Sequence, residues 1–442
     1  MTSEQMGQDQ TGTVRRRKVF YIPGYDPIHP RRYRELYRKE GAAQAEISGY
    51  DIALKPKAAG GGKYGWKVEA DIDGAAVHSD VEVLFWADIV RSSMSHSIPA
   101  TYLSLVRTAW TYITTGTLRR LMWLRKGPVI AALYPVGMLL LQLILAVLLA
   151  LIPSAILTAV TPVLAGAVAT AASWVGLGEL AGLLSNIVAI GVGVVLSWAV
   201  WIAGTVYILR WFKAKDGKFF AHYLMHDYAY SARWGGANPP ALEDRMEQFG
   251  DRIAEALAGP FDEVLVVGHS SGAHLAVSIL ADLIRDGRVR SNGPALGFLS
   301  LGQVVPMVSF LPKADRLRAD LAYLSTRSEV AWIDVTAPGD GCAFALCDPV
   351  AVSGVAPETG KLWPVVISAA FTQTLSPERW KELRWKFFRL HFQYLCAFDR
   401  PGDYDYFQIT AGPVTLRDRF QDRPPSKSRI DVPASKYTSM AA

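Results

Sequence analysis

Short apolar runs alternate with longer segments of helical periodicity along the second half of the chain. Runs of four to seven residues rich in valine, leucine and isoleucine are typical of buried strands. Strands that alternate with amphipathic helices indicate a parallel sheet with crossover helices, so we predict an α/β fold. The predicted strands are Lys18–Ile22, Val81–Trp86, Val264–Val267, Leu296–Leu301 and Glu329–Val335, and the predicted helices are Leu242–Leu257 and Ala273–Ile284.

A second apolar pattern, without alternation, fills the middle of the chain. Glu179 is the only charged residue between Pro128 and Leu209. Within this block, residues 129–152 and 187–209 are each long enough to cross about 30 Å of hydrocarbon as a helix. We therefore expect two membrane spans that form a helical hairpin.

Basic residues flank the apolar block on both sides. By the positive-inside rule both flanks are expected on the cytoplasmic side, which requires an even number of crossings. The stretch 154–184, interrupted by Pro162, several glycines and Glu179, is open to three interpretations: a third apolar helix, a re-entrant segment or an interfacial segment. The flanking residues are Arg119, Arg120, Arg125 and Lys126 before the block and Arg210, Lys213, Lys215 and Lys218 after it.

Composition supports contact with lipid and argues against other classes. Half of the 442 residues are hydrophobic, 19% are charged, and the mean hydropathy is +0.16. The net charge of +6 is not arranged as a nucleic-acid-binding surface, and three unpatterned cysteines argue against a disulfide framework. We expect disordered ends at 1–14 and 423–442, a transmembrane insertion at 128–210, and an α/β domain formed by 15–127 and 211–422.

The strongest chemical motif is Gly268-His269-Ser270-Ser271-Gly272, placed between a predicted strand and a predicted helix. A serine at such a turn is held out at the carboxyl end of the sheet, and the glycines remove side chains that would clash there. Ser270 is the predicted nucleophile. The amide of Ser271 is a predicted oxyanion donor, because a helix begins behind it. A second donor is predicted at Gly24 or Tyr25, after the first strand.

A nucleophilic serine needs a base, and the chain order Ser, acid, His selects His391. His274 follows Ser270 too closely on the same helix to return from a later loop. The predicted acid is Asp340, after the strand that contains Asp334, with Asp348 as the alternative. His222 and His226 lack the glutamate of the zinc-protease motif, so we expect no metal or cofactor.

Together, Ile22-Pro23-Gly24, the turn at Ser270, Asp340 and His391 resemble the α/β-hydrolase superfamily. The resemblance implies an eight-stranded, mostly parallel sheet and acyl transfer through an acyl-enzyme. We therefore expect a membrane-anchored serine hydrolase of acyl esters, with the bilayer and an ester or lipid substrate as its partners. The aromatic stretch 363–385 is a candidate lid or acyl groove. The alternative is an inactive hydrolase-fold protein that binds or scaffolds at the membrane.

Overall fold

A computed structural model describes residues 13–27, 29–56, 64–94, 97–187 and 191–441, which form two compact units. The sheet unit contains the described residues up to Met94, then Arg107–Ala131 and those from Asp227 onward. The helical unit contains the described residues from Ser97 to Val106 and Ala132–His226. The helical unit is therefore larger than the predicted insertion, because the helices before and after the apolar block contribute to it.

Eight strands of the sheet unit form one mostly parallel sheet, so the chain is an α/β protein. The order is β2-β3-β4-β1-β5-β6-β7-β8, with β2–β3 and β3–β4 antiparallel and every other pair parallel. The five predicted strands correspond to β1 and β4–β7. The strands are β1 Arg16–Ile22, β2 Asp51–Lys55, β3 Gly65–Ile72, β4 Ala75–Val83, β5 Glu263–His269, β6 Ala295–Leu301, β7 Val330–Thr336 and β8 Val365–Ser368.

The helices connect and cover these strands. The predicted helix after the serine motif is α11, and the amphipathic helix before β5 is α10. The first nine helices are α1 Arg31–Ser48, α2 Ala87–Ser93, α3 Ile98–Thr114, α4 Thr117–Leu124, α5 Lys126–Ser173, α6 Gly178–Ile187, α7 Gly193–Ala214, α8 Asp216–Phe219 and α9 Ala221–Arg233. The remainder are α10 Pro240–Leu257, α11 Gly272–Arg285, α12 Val305–Ser309, α13 Asp315–Leu324, α14 Pro349–Val352, α15 Phe371–Thr374, α16 Pro377–Leu383, α17 Phe387–His391, α18 Tyr406–Ala411 and α19 Leu416–Arg419.

Both faces of the sheet are buried along the central parallel strands β1, β5, β6 and β7, as a parallel sheet requires. On one face, Tyr21 of β1 and Val267 of β5 belong to an apolar cluster with Tyr37 of α1 and Phe407 of α18. The alternate strand residues, such as Val266, are equally buried and point to the other face. The carboxyl ends of β1, β5, β6 and β7 therefore meet at one covered edge of the sheet.

Two helices of the helical unit are long and apolar enough to cross a membrane. The first, α5, is 48 residues long, or about 72 Å at the helical rise, and extends to Ser173, within the stretch that the sequence left open; α6 follows it from Gly178. Helix α5 contacts α7 in an antiparallel arrangement: Trp201 Nε1 donates to Val147 O at 3.2 Å, and Ser154 Oγ donates to Ser197 O at 2.8 Å. The two helices are thus a hairpin.

The carboxyl-terminal segment corrects an expectation. We expected residues 423–442 to be disordered, but the described part of this segment is attached to the sheet unit. Ile430 N donates to Leu346 O at 2.7 Å, Ala434 N donates to Val352 O at 2.9 Å, and Arg318 Nε donates to Ser439 O at 2.7 Å. These backbone contacts compensate for a composition poor in apolar residues. At the other end, residues 1–12 of the predicted disordered region lie outside the described residues.

Candidate active site

Ser270 lies at a sharp turn between β5 and α11. Every residue of β5 is buried, and the chain reverses at Ser270 with a φ of +57° before α11 begins at Gly272. A left-handed conformation is uncommon for a residue with a side chain and persists only where the surroundings impose it. Here the Ser270 amide donates to Leu301 O, at the end of β6, at 2.9 Å. The turn is therefore fixed to the neighbouring strand.

Three glycines allow the backbone to pack around this turn. A Cβ atom on Gly272 would lie 2.1 Å from Ile22 O, and one on Gly268 would lie 2.8 Å from the Cα atom of Ala273. Both distances are impossible for real side chains, so helix α11 can approach β1 this closely only because glycine occupies these positions. A Cβ on Gly24 would lie 3.0 Å from the Cβ of Ser270. The loop after β1 thus runs beside the serine.

The predicted oxyanion donors are next to Ser270. Gly24 contacts the serine, and Tyr25 and Ser271 line one common cavity. Ser271 immediately precedes α11, whose first amides have no partner within the helix and carry the positive end of its dipole. The Tyr25 hydroxyl is 2.6 Å from Ser93 Oγ, which fixes this side chain. The three residues thus lie in the region where the sequence predicts the oxyanion donors.

His391 and Asp340 form a buried pair. His391, the last residue of α17, is 6% exposed, and its Nδ1–H donates to Asp340 Oδ2 at 2.7 Å. Asp340 also accepts from the Cys342 amide at 2.8 Å and from the Tyr394 hydroxyl at 3.0 Å. Burial by itself raises the pKa of Asp340, but His391 and these donors outweigh burial and lower the pKa below its ordinary value. The carboxylate is therefore ionised and orients the imidazole.

The imidazole lies at the same edge of the sheet as the serine. A Cβ on Gly302, the residue after Leu301, would lie 3.0 Å from His391 Cε1, while the Leu301 carbonyl accepts from the Ser270 amide. Among the described residues, however, no hydrogen bond joins Ser270 to His391; the recorded hydrogen bond of the imidazole goes to Asp340. Ligand-free sites often show long catalytic contacts that shorten when substrate binds.

His269 forms a hydrogen bond with the backbone of His391, a role that the sequence did not predict. The Nε2–H of His269 donates to the carbonyl oxygen of His391 at 3.0 Å, and its Nδ1 lies 3.3 Å from the Tyr21 hydroxyl. Burial, assisted by the neighbouring His391, lowers the pKa of His269 to about 3. His269 is thus neutral at physiological pH and fixes the backbone that carries His391.

The alternative acid is engaged elsewhere. Asp348 caps α14 by accepting from the amides of Val350 and Ala351 at 3.0 and 3.1 Å, and it accepts from Lys361 Nζ at 2.5 Å. Asp334, inside β7, accepts from Ser300 Oγ at 2.5 Å, and burial raises its pKa to about 8. Of the two candidate acids, Asp340 and Asp348, the structure places Asp340 at His391.

A possible metal-binding group coincides with this pair. Ligand atoms of Asp340, Cys342 and His391 lie within 4.8 Å of one another. The carboxylate and imidazole already bind each other through a proton, and a metal ion would have to displace that proton. These residues therefore fit a proton-transfer pair better than a metal site.

Two more residues near the site had no recognisable signal in the sequence. Tyr394 donates to Asp340 and accepts from the Ala337 amide at 3.0 Å, so it connects the acid to the end of β7. Asp227, on α9, lines a cavity with Ser271 and Tyr25. Neither belongs to a motif, and only folding brings them to the serine.

In the comparisons with known proteins, no family model, curated protein or solved structure matched the chain.

Proposed function

We propose that this protein is a membrane-anchored serine hydrolase of the α/β-hydrolase type that cleaves acyl esters. The observation that carries the proposal is the left-handed Ser270 at a strand-to-helix turn, at the same sheet edge as the buried pair of His391 and Asp340. A turn of this kind is costly to maintain, and it presents a hydroxyl beside helix amides.

In this mechanism Ser270 Oγ attacks the acyl carbon while His391 accepts the hydroxyl proton. Asp340 stabilises the imidazolium that forms, and the amides of Ser271 and of Gly24 or Tyr25 bind the oxyanion. The alcohol leaves with the proton from His391, and an acyl-enzyme remains. Water, deprotonated by His391, then attacks the acyl carbon, releases the carboxylic acid and regenerates Ser270.

Features beside the site support an ester of a membrane lipid. The first turn of apolar helix α5 lies next to the loop that follows β7 and carries Asp340. A Cβ on Gly127 would be 3.6 Å from the Cα of Gly341 in this loop. Phe387 packs against Gly341, and the exposed rings of Trp385 and Phe387 have basic residues beside them in the sequence. Aromatic and basic side chains are enriched at membrane interfaces. The substrate would enter from the bilayer surface, with both spans returning to the cytoplasmic side.

The experiment is labelling of the detergent-solubilised full chain with a fluorophosphonate probe. We expect labelling of the wild type and no labelling of Ser270→Ala or His391→Ala. Ser92→Ala and His78→Ala, which change exposed residues outside the site, are the matched controls and should label normally. If a folded wild type does not label, the hydrolase proposal is wrong.

The alternative is a hydrolase-fold membrane protein without catalytic activity. One observation favours it, namely that no hydrogen bond joins Ser270 to His391 among the described residues. The fluorophosphonate result separates the two, because an inert serine would remain unlabelled while the protein still partitions into membranes.

A further inference from the structure

The outer sides of helices α3 and α4 carry large apolar side chains that are exposed. In the part of α3 that belongs to the sheet unit, Trp110 is 70% and Ile113 61% exposed, and Trp123 of α4 is 83% exposed. Trp110 and Ile113 are three residues apart, so they lie on one side of their helix. Apolar side chains that are grouped at a surface mark a place where another molecule binds.

The inner sides of the two helices attach them to one element of the sheet unit. The Tyr112 hydroxyl of α3 donates to Met307 O at 2.9 Å, and Thr117 Oγ1 of α4 donates to Phe310 O at 3.0 Å. Met307 lies in α12 and Phe310 follows it directly, so α3 and α4 rest on the same short helix. Their exposed side chains therefore belong to a fixed surface, with the buried sides turned towards the sheet unit.

The charge of this surface has one sign. The chain contains no aspartate or glutamate between residues 89 and 178. Arg107 lies three residues before Trp110, and Arg119 lies four residues before Trp123, so each arginine is on the same side of its helix as an exposed tryptophan. Both arginines are exposed, and neither forms an ion pair with any residue that the structure describes. The surface therefore presents aromatic rings and unpaired cations together.

The position of this surface along the chain indicates what covers it. Helix α4 ends at Leu124, α5 begins at Lys126, and the first predicted span begins at residue 129. The six residues from Trp123 to the span cover at most about 20 Å, so Trp123 is within reach of the headgroup layer. Tryptophan is enriched in this layer, and arginine near it is attracted to anionic lipids. Both residue types on the surface therefore fit the same occupant.

We propose that the outer surface of α3 and α4 binds the headgroup layer of a bilayer that contains anionic lipids. Trp110, Ile113 and Trp123 insert between the lipids, and Arg107 and Arg119 bind lipid phosphates. A soluble anion does not fit this surface equally well, because it would leave the apolar side chains in water. The inference rests on the membrane anchoring proposed above, but it is independent of ester hydrolysis.

The experiment measures lipid contact at single introduced cysteines. The full chain with Trp110→Cys or Trp123→Cys is labelled with a nitrobenzoxadiazole dye and placed in nanodiscs of equal parts phosphatidylcholine and phosphatidylglycerol, with or without a nitroxide-bearing lipid. We expect the nitroxide to quench both labels, as it should quench a label at Leu148→Cys in α5. Ile47→Cys, which changes an exposed apolar residue at the end of α1, is the matched control and should not be quenched. Labelled wild type corrects for the three native cysteines.

The lipid charge is tested in the same assay, at a salt concentration that leaves part of the label at Trp123→Cys unquenched. Replacing phosphatidylglycerol with phosphatidylcholine should reduce the quenching. In the anionic nanodiscs, Arg119→Gln should lower the ratio of quenched to unquenched label about fivefold, because one arginine near an anionic surface contributes a factor of this size. Arg38→Gln, which changes an exposed arginine of α1, should leave the ratio unchanged.

Quenching at Trp110 and Trp123 no stronger than at Ile47 would overturn the proposal, and if Leu148 is unquenched as well, the anchoring itself is wrong. A blue-shifted label that the nitroxide does not quench would also overturn it, because a protein such as a second copy would then cover the surface. Equal quenching in both kinds of nanodisc, or no effect of Arg119→Gln, would reject the binding of anionic lipid. The assay involves no hydrolysis, so its result is separate from fluorophosphonate labelling.

Discussion

Helices α11 and α5 are both strongly apolar, but α11 is buried and most of α5 is exposed. Within the 14 residues of α11, 12 are buried against β1, β5 and neighbouring helices. In the most apolar window of α5, 11% of the residues are buried. The difference shows that apolar composition alone does not define an environment: α11 is short and capped by the serine turn, whereas α5 exposes a surface that lipid would cover.

The largest expected effect concerns the buried pair of His391 and Asp340, which belongs to the sheet unit and not to the apolar hairpin. Asp340→Asn should lower the rate of serine labelling by up to about 10⁴-fold, because the imidazole loses its orientation and its counter-charge. Asp348→Asn is the matched control, since Asp348 caps α14 away from His391. Strong loss with Asp348→Asn and normal labelling with Asp340→Asn would show that Asp340 is not the acid. The measurement is the second-order rate of fluorophosphonate labelling.

A pair of Gly→Ala substitutions should separate the two regions by stability. Gly272→Ala places a Cβ 2.1 Å from Ile22 O and should cost about 3 kcal/mol of unfolding free energy or prevent folding. Gly182→Ala in α6 meets no atom within 4 Å and should be neutral or slightly stabilising. Denaturation of each variant, followed by tryptophan fluorescence, checks the contrast. Equal tolerance at both positions would contradict the packing described at the turn.

A charge on the exposed face of α5 should test whether lipid covers it. Leu148 is 54% exposed, and Leu148→Arg should reduce membrane insertion by about 3 kcal/mol, whereas Leu148→Met should have little effect. Fractionation of cells into membrane and soluble protein gives the measurement. If Leu148→Arg remains in the membrane fraction in full yield, the hairpin does not place this face in hydrocarbon.

The smallest effect concerns pH and the buried His274 of α11. Burial lowers the pKa of His274 to about 4, below the value near 6.5 expected in the unfolded chain. Between these values the unfolded state binds more protons, so this residue's contribution to stability is lost as pH falls from 6.5 towards 4. Between pH 7 and pH 5, we expect the free energy of unfolding of the wild type to fall by about 1–2 kcal/mol more than that of His274→Gln.

Chemical denaturation of both proteins at the two pH values measures this difference. A gap that stays constant with pH would mean that the pKa of His274 is the same in the folded and the unfolded protein, and would contradict the expectation. No comparable dependence is expected from a polar substitution on the exposed part of α5, because that segment has no Asp, Glu, His, Lys or Arg between Lys126 and Ser173.

The predicted core strands β1, β5, β6 and β7 could be recognised because each is buried on both faces and therefore contains a run of mostly apolar residues. Strands β2 and β3 are buried on alternate positions only, and β8 has four residues, so their patterns were too weak to recognise. The attachment of the carboxyl-terminal segment 423–442 to the sheet unit could not be recognised from the sequence either. Its backbone hydrogen bonds to Leu346 and Val352 leave no mark in its composition.

The sequence by itself determined the chemistry that depends on neighbours along the chain. The glycines around Ser270, the strand before it and the length of the apolar block are local patterns, and local sterics and hydropathy make them readable. Chain order also pointed to His391 and Asp340, but their contact, the support from His269 and Tyr394, and the position of Asp227 were decided by the tertiary structure. These residues are far apart in sequence, and they meet because the parallel strands end at one edge of the sheet.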